Sequence, residues 1–324
     1  MVKLASAEMA EKKLATRAAF GATLAELAEE GVPVVAVDAD LTGSTTTKKF
    51  AAAAPENADK LFNCGIAEQN MIDVAAGLAL TGHVAYTGSF AVFGTGRAYD
   101  QIRNTVCYSN LDVKICPTHA GVSVGPDGGS HQMLEDVSLM RGLPNMRVLV
   151  PADYAAARAA IKLAAKTPGP VYVRMGRAAV PCVYDDDVEL ELGRAYVLRE
   201  GADATVVACG VEIREALAAA DALAAEGISI EVIDAFSVKP LDEDTITASV
   251  AKTGCCVVAE EHSVHGGLGS AVAECLARKN PAPCEFVGVE DRFGKSGEFE
   301  ELLGYFNLDA SSIANAAKRA IARK

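Results

Sequence analysis

Nine short apolar runs recur along this chain between longer Ala-rich segments, and this alternation constrains the fold more than any other feature. "VPVVAVD" (32–38), "VAYTGSF" (84–90), "VKICPTH" (113–119), "RVLVPA" (147–152) and "PVYVR" (170–174) come first. "ATVVACG" (204–210), "SIEVIDA" (229–235), "CCVVAEE" (255–261) and "CEFVGVE" (284–290) come later. A strand that is apolar on successive residues has both faces covered, which is the pattern of a parallel sheet. Segments 8–30, 68–81, 152–166, 211–226, 268–279 and 311–323 have helical spacing and supply the covering layers. Residues 1–15 read as a charged helical lead-in. The acidic, loop-like "VPCVYDDDVELELGRA" (180–195) separates the two sets. The expectation is an α/β protein of two domains, 1–188 and 189–324, each a mostly parallel sheet flanked by helices.

Charge narrows the function. With 43 acidic against 30 basic residues, the net charge is −13, which argues against a nucleic-acid or anionic-membrane surface. No run of about 18 uncharged apolar residues and no signal-like amino terminus occurs, so a soluble, cytoplasmic protein is expected. The nine cysteines form no CxxC and mostly sit in apolar runs, as buried free thiols of a reducing compartment do. No metal site built by this chain alone is expected.

Ligands of open α/β sheets bind at the carboxyl ends of the strands. The loops that leave those ends in the first half therefore carry the candidate residues. "DADLTGS" groups Asp38, Asp40, Thr42 and Ser44. "FAVFGTGRAYDQ" sets Phe90, Phe93 and Tyr99 beside glycines, and "HAGVSVGPDGGSHQ" puts His119, Asp127 and His131 in one Gly-rich loop. "RMGR" carries Arg174 and Arg177. Spacing in these loops differs from a Walker loop and from a dinucleotide fingerprint, which excludes both nucleotide readings. The stretch "FNCGIAEQNMIDVAAGLALTG" (62–82) opens an almost wholly small and apolar helix with Glu68. Two readings remain open: a first-turn glutamate with its head in water, or a carboxylate at the wall of a buried space, where it needs a partner or a task.

"GIAEQNM", "GSFAVF", "THAGVSVGPDGGSHQ" and "VPADYAAARAA" resemble the transketolase family of thiamine-diphosphate enzymes. The resemblance covers the pyrimidine-binding and carboxyl-terminal domains. It does not extend to the diphosphate-binding domain with its GDG…N motif, and "PDGGS" (126–130) is not that motif. It implies the second subunit of a split transketolase, moving a two-carbon ketol unit between sugar phosphates as in the pentose phosphate pathway. An amino-terminal partner subunit would hold the diphosphate and Mg²⁺, and the chain would also self-associate, as two of each chain. In the family, the glutamate at Glu68 hydrogen-bonds N1′ of the aminopyrimidine and so promotes loss of the thiazolium C2 proton. Phe90 and Phe93 match its aromatic platform. Relatives often carry a further aromatic where this chain has Gly96, with Tyr99 the nearest replacement. Arg17, Ser44 and Arg177 match positions that hold the sugar phosphate, and Asp40 one that binds an acceptor hydroxyl. His119, Asp127 and His131 would face the sugar, the two histidines with catalytic roles.

The resemblance implies a structural role for Arg174 and for His262 and His265 of "EEHSVHGGLGSA", with the carboxyl-terminal domain serving dimer packing and architecture. Three alternatives share the fold: a deoxyxylulose-phosphate synthase-like enzyme, whose form "GIAEQN" approaches, a 2-oxo-acid dehydrogenase β subunit, and a non-catalytic scaffold.

Overall fold

The computed structural model describes residues 2–324. Seven strands form the first sheet, in the order Ser237–Lys239, Arg147–Leu149, Val171–Val173, Val113–Ile115, Val84–Gly88, Val34–Asp38, Leu61–Asn63. All neighbours are parallel except the edge strand Ser237–Lys239, which is antiparallel to Arg147–Leu149 and comes from the second half of the chain. The second sheet runs Cys284–Val289, Cys256–Ser263, Ala204–Ala208, Ile230–Asp234, Tyr196–Arg199, with only the last pair antiparallel.

All nine apolar runs form strands, and the burial explains their composition. Val34 and Ala36 enter one buried cluster while Val35 and Val37 enter another, on the opposite face of the sheet. Val206 and Val207 divide in the same way, so each cluster runs continuously through both halves of the chain. Helices Ala18–Glu29, Glu68–Leu80, Tyr154–Lys166, Glu212–Ala225, Leu268–Lys279 and Ala310–Ile321 cover the sheets. No helix among the described residues is long and apolar enough to cross a membrane.

The expected helix over 8–30 is not continuous, and of the lead-in only Ala7–Ala10 is helical. After a short helical turn at Ala7–Ala10, Lys13–Ala15 forms a strand that pairs antiparallel with Ala179–Pro181, and the long helix starts only at Ala18. Backbone pairing with a distant segment overrides the local helical spacing here. The consequence is positional, because it brings Arg17 alongside Arg177.

Candidate active site

The first sheet reverses its winding between Val34–Asp38 and Val84–Gly88, the place where such sheets bind ligands. Asp38 closes the first of these strands and is fully buried. Its carboxylate accepts the Leu41 N–H at 2.6 Å and the hydroxyls of Thr45 and Thr47 at 2.7 and 2.9 Å. These bonds gather residues 39–47 into the loop that carries Asp40 and Ser44. Across from it, a Cβ on Gly88 would stand 2.8 Å from Asp38 Oδ2, so any side chain there would displace the loop.

Glu68 begins the helix Glu68–Leu80, whose buried face is Met71, Ile72, Ala75 and Ala76. The glutamate is 2 % exposed, which places it in the wall of a buried space and not in water. Arg97 Nη1 donates to its two oxygens at 3.0 and 2.9 Å. Arg97 ends a π-helical turn, Val92–Arg97, and its guanidinium carbon lies 4.6 Å from the Phe93 ring centroid. Such turns, one residue wider than an α-helical turn, often mark functional sites.

Four rings make a wall beside this pair. Phe90 stacks on His119 with centroids 3.7 Å apart and planes at 24°, and Phe93 lies 6.2 Å from Phe90 at 17°. His131 meets Phe93 edge-on at 5.3 Å and Phe90 at 6.2 Å. A parallel bridge between Phe90 and Thr118 fixes the two strand exits side by side. Next to Phe90, the buried Ser89 hydroxyl has no hydrogen-bond partner among the described residues. The structure does not bring Tyr99 to this wall. Its half-buried ring packs against the apolar cluster that includes Ile102, where burying an aromatic ring is favourable.

Two arginines approach the histidines. Arg17 Nη1 donates to the Ser44 carbonyl at 2.9 Å, and Arg177 Nη1 to the Val124 carbonyl at 2.8 Å. Thr16 Oγ1, accepting the Gly176 N–H at 2.7 Å, laces the two arginine segments together. Burial, then the facing Arg177, lower the Arg17 pKa, while Asp127 opposes them. Two guanidiniums and one carboxylate therefore share a space, an arrangement suited to an anion with hydroxyls attached. Burial first, then Arg17, Arg177 and His131, push His119 down to about 3, so its imidazole is neutral at physiological pH. Thr118 Oγ1 holds Nδ1 of that ring at 2.7 Å. Asp40 is exposed, at a left-handed φ of 64°, and its carboxylate accepts Asn63 Nδ2 at 3.2 Å on the outer rim of its loop. Ser44 contributes a carbonyl, not its hydroxyl, to Arg17.

Among the described residues no group of three or more His, Cys, Asp or Glu side chains is gathered as for a metal ion. His262 is buried and engaged at both nitrogens: Nδ1 lies 2.7 Å from the Ser263 carbonyl, and Nε2 accepts the Ser138 N–H at 3.3 Å. Arg174 is locked to the buried Asp136, with Nε at 2.7 Å.

Residues 12–183 match the transketolase pyrimidine-binding domain and residues 193–313 the transketolase C-terminal domain. A protein of Methanocaldococcus jannaschii described as a transketolase C-terminal section is 46% identical over 301 residues, 92% of this chain and 93% of that one. The 6-deoxy-6-sulfo-D-fructose transketolase subunit of Clostridium sp. (strain MSTE9) is 42% identical over 301 residues, 93% of this chain and 92% of its own. Among solved structures, a split-gene transketolase described as an inactive β4 tetramer is similar with a TM-score of 0.87 and 48% identity, over 96% of this chain and 99% of that chain. Through both of its domains, this chain belongs to the transketolase family.

Proposed function

We propose that this chain is the second subunit of a split transketolase, its two domains meeting near residue 188, and that it works with a partner carrying the diphosphate-binding domain. The assembled enzyme moves a two-carbon ketol unit from a ketose phosphate to an aldose phosphate. One observation carries the reading: a buried carboxylate at the foot of a ring wall, with two arginines facing neutral His119 alongside. The carboxylate and the rings fit a flat nitrogen heterocycle, and the unpartnered Ser89 hydroxyl adds a polar atom beside Phe90. That suits the aminopyrimidine of thiamine diphosphate, whose bound form supplies the carbanion chemistry.

Within this chain, Glu68 holds a proton against the N1′ nitrogen, and Phe90 and Phe93 fix the ring by stacking. Arg17 and Arg177, with Ser44 holding Arg17, take the terminal anion of the sugar. Asp40 at the rim binds an acceptor hydroxyl, and Asp127 and His131 take hydroxyls nearer the reacting end. His119, being uncharged, donates or accepts a hydrogen bond there without adding to the cationic field. The diphosphate and Mg²⁺ are held by the partner, and the simplest assembly is two of each chain.

The experiment is calorimetric titration of thiamine diphosphate with Mg²⁺ into the chain alone and with its partner, followed by a xylulose-phosphate/ribose-phosphate assay. Binding only with the partner, and a Glu68→Gln enzyme slowed about 100-fold or more, are expected. Full activity of Glu68→Ala with the partner, or use of pyruvate in place of the ketose phosphate, overturns the reading.

A further inference from the structure

The Gly-rich loop that carries His119 and Asp127 is moulded from outside its own domain. Glu261 lies near the end of strand Cys256–Ser263 in the carboxyl-terminal half, 3 % exposed. Its Oε1 accepts the backbone N–H of Ser123. Its carboxyl group also fills the volume that a side chain at residue 121 would need. Gly121 sits at φ +78°, and a Cβ built there would be 2.2 Å from Glu261 Cδ and 2.4 Å from each carboxylate oxygen. The carbonyl of the residue following Ser123, Val124, is the acceptor for Arg177. Gln132 Nε2 ties the Val122 carbonyl at 3.0 Å to the Lys295 carbonyl at 2.9 Å, so the loop is fastened to the carboxyl-terminal half a second time.

We infer that Glu261 is a positioning residue of the sugar site: by holding Ser123 and wedging against Gly121, it sets where His119, Asp127 and, through Val124, Arg177 stand. This rests on the proposed function, and gives the carboxyl-terminal domain a part in substrate binding beyond packing. An apolar side chain could fill the same space, but only an acceptor meets the buried Ser123 N–H, and leaving that donor bare is costly. The chain of contacts ends on the atoms that face the anion and the neutral imidazole. Of the cofactor contacts, Glu68 and Phe93 lie on other strand exits, while Phe90 meets the loop in its stack on His119.

The test compares Glu261→Ala and Glu261→Gln with the unaltered enzyme, each assembled with its partner. Three quantities are read: amide hydrogen exchange of residues 119–128, thiamine diphosphate affinity by calorimetry, and KM and kcat for the ketose phosphate. For Glu261→Ala the expected results are faster exchange in that loop, a KM raised about ten-fold with little change in kcat, and a cofactor affinity that falls far less than KM rises. Glu261→Gln, which keeps the size and one acceptor oxygen, restores KM to within about two-fold. Unaltered exchange in the loop overturns the inference, and so does a parallel loss of KM, kcat and cofactor affinity. Should the alanine variant fail to fold, Glu261→Ser withdraws the same carboxylate while keeping a polar side chain, and the same readings apply. Absence of ketol transfer by the unaltered assembly would defeat the proposed function while leaving the exchange measurement to decide the role of Glu261.

Discussion

Glu68 and Arg97 are very unequally exposed, at 2% and 50% of their side chains, so removing one is not equivalent to removing the other. Arg97→Ala leaves a carboxylate buried without its partner and is expected to cost about 1–3 kcal/mol in urea unfolding. Glu68→Gln releases Arg97 toward water and costs less, and in a double-mutant cycle the two changes together should cost less than the sum of their separate costs, the shortfall being the coupling. His119 predicts the acid limb of stability. The native state keeps this ring free of a proton down to about pH 3, whereas the unfolded ring protonates near its ordinary value of 6.5. The unfolded chain thus binds the extra proton, and stability present above pH 6.5 is lost progressively as pH falls toward 3. Melting temperatures followed over that range should fall less steeply in His119→Gln. Phe90, Phe93, His119, Arg177 and Glu68 were legible because strand exits converge on one edge and their motifs are distinctive. Arg97 was not, since a π-helical turn leaves no period in a sequence. Nor was Glu261, one of two adjacent glutamates near the end of strand Cys256–Ser263, whose role exists only across the chain.

Among the elements, one of the shortest decides where the two arginines stand. Pairing of Lys13–Ala15 with Ala179–Pro181 delays the first long helix to Ala18, and this sets Arg17 beside Arg177. Spacing alone predicts an uninterrupted helix, because the partner strand is remote in sequence and only three residues long. Thr16 is the clasp: its hydroxyl oxygen accepts the Gly176 N–H at 2.7 Å and donates to the Gly176 carbonyl at 3.3 Å. Thr16→Val keeps the shape and loses both bonds. It is expected to destabilise by about 1–3 kcal/mol and to raise KM for the sugar phosphate with thiamine diphosphate affinity unchanged, checked by steady-state kinetics and calorimetry. The helix Glu243–Thr253 also escaped the hydrophobic pattern. Its signals are end signals, an Asp242 side chain accepting the Thr245 N–H and a left-handed Gly254 after the last turn.

The whole molecule is stitched through its interior. Both apolar clusters run through both halves, Arg174 of the first half donates to the Glu261 carbonyl at 2.9 Å, and Tyr184 of the linker donates to Asp234 at 2.6 Å. Burial, only partly offset by the Tyr184 hydroxyl, pushes Asp234 up to about 7. The native state then holds a proton that the unfolded chain releases near 3.8, so stability is full below that value and declines as pH rises to about 7. Asp234→Asn should flatten this decline, gaining at most about 4 kcal/mol at pH 8 in urea titrations. Strand Ser237–Lys239 adds a constraint of another kind. Among the described residues it is the only strand that covers the hydrogen-bonding edge of Arg147–Leu149 on that side of the first sheet. As the nascent chain leaves the ribosome, that edge stays bare until residue 239 has emerged, and a fragment ending at the linker never covers it. An open strand edge recruits other chains. A fragment ending at the linker is therefore expected to self-associate more than the whole chain does, as light scattering during refolding would show.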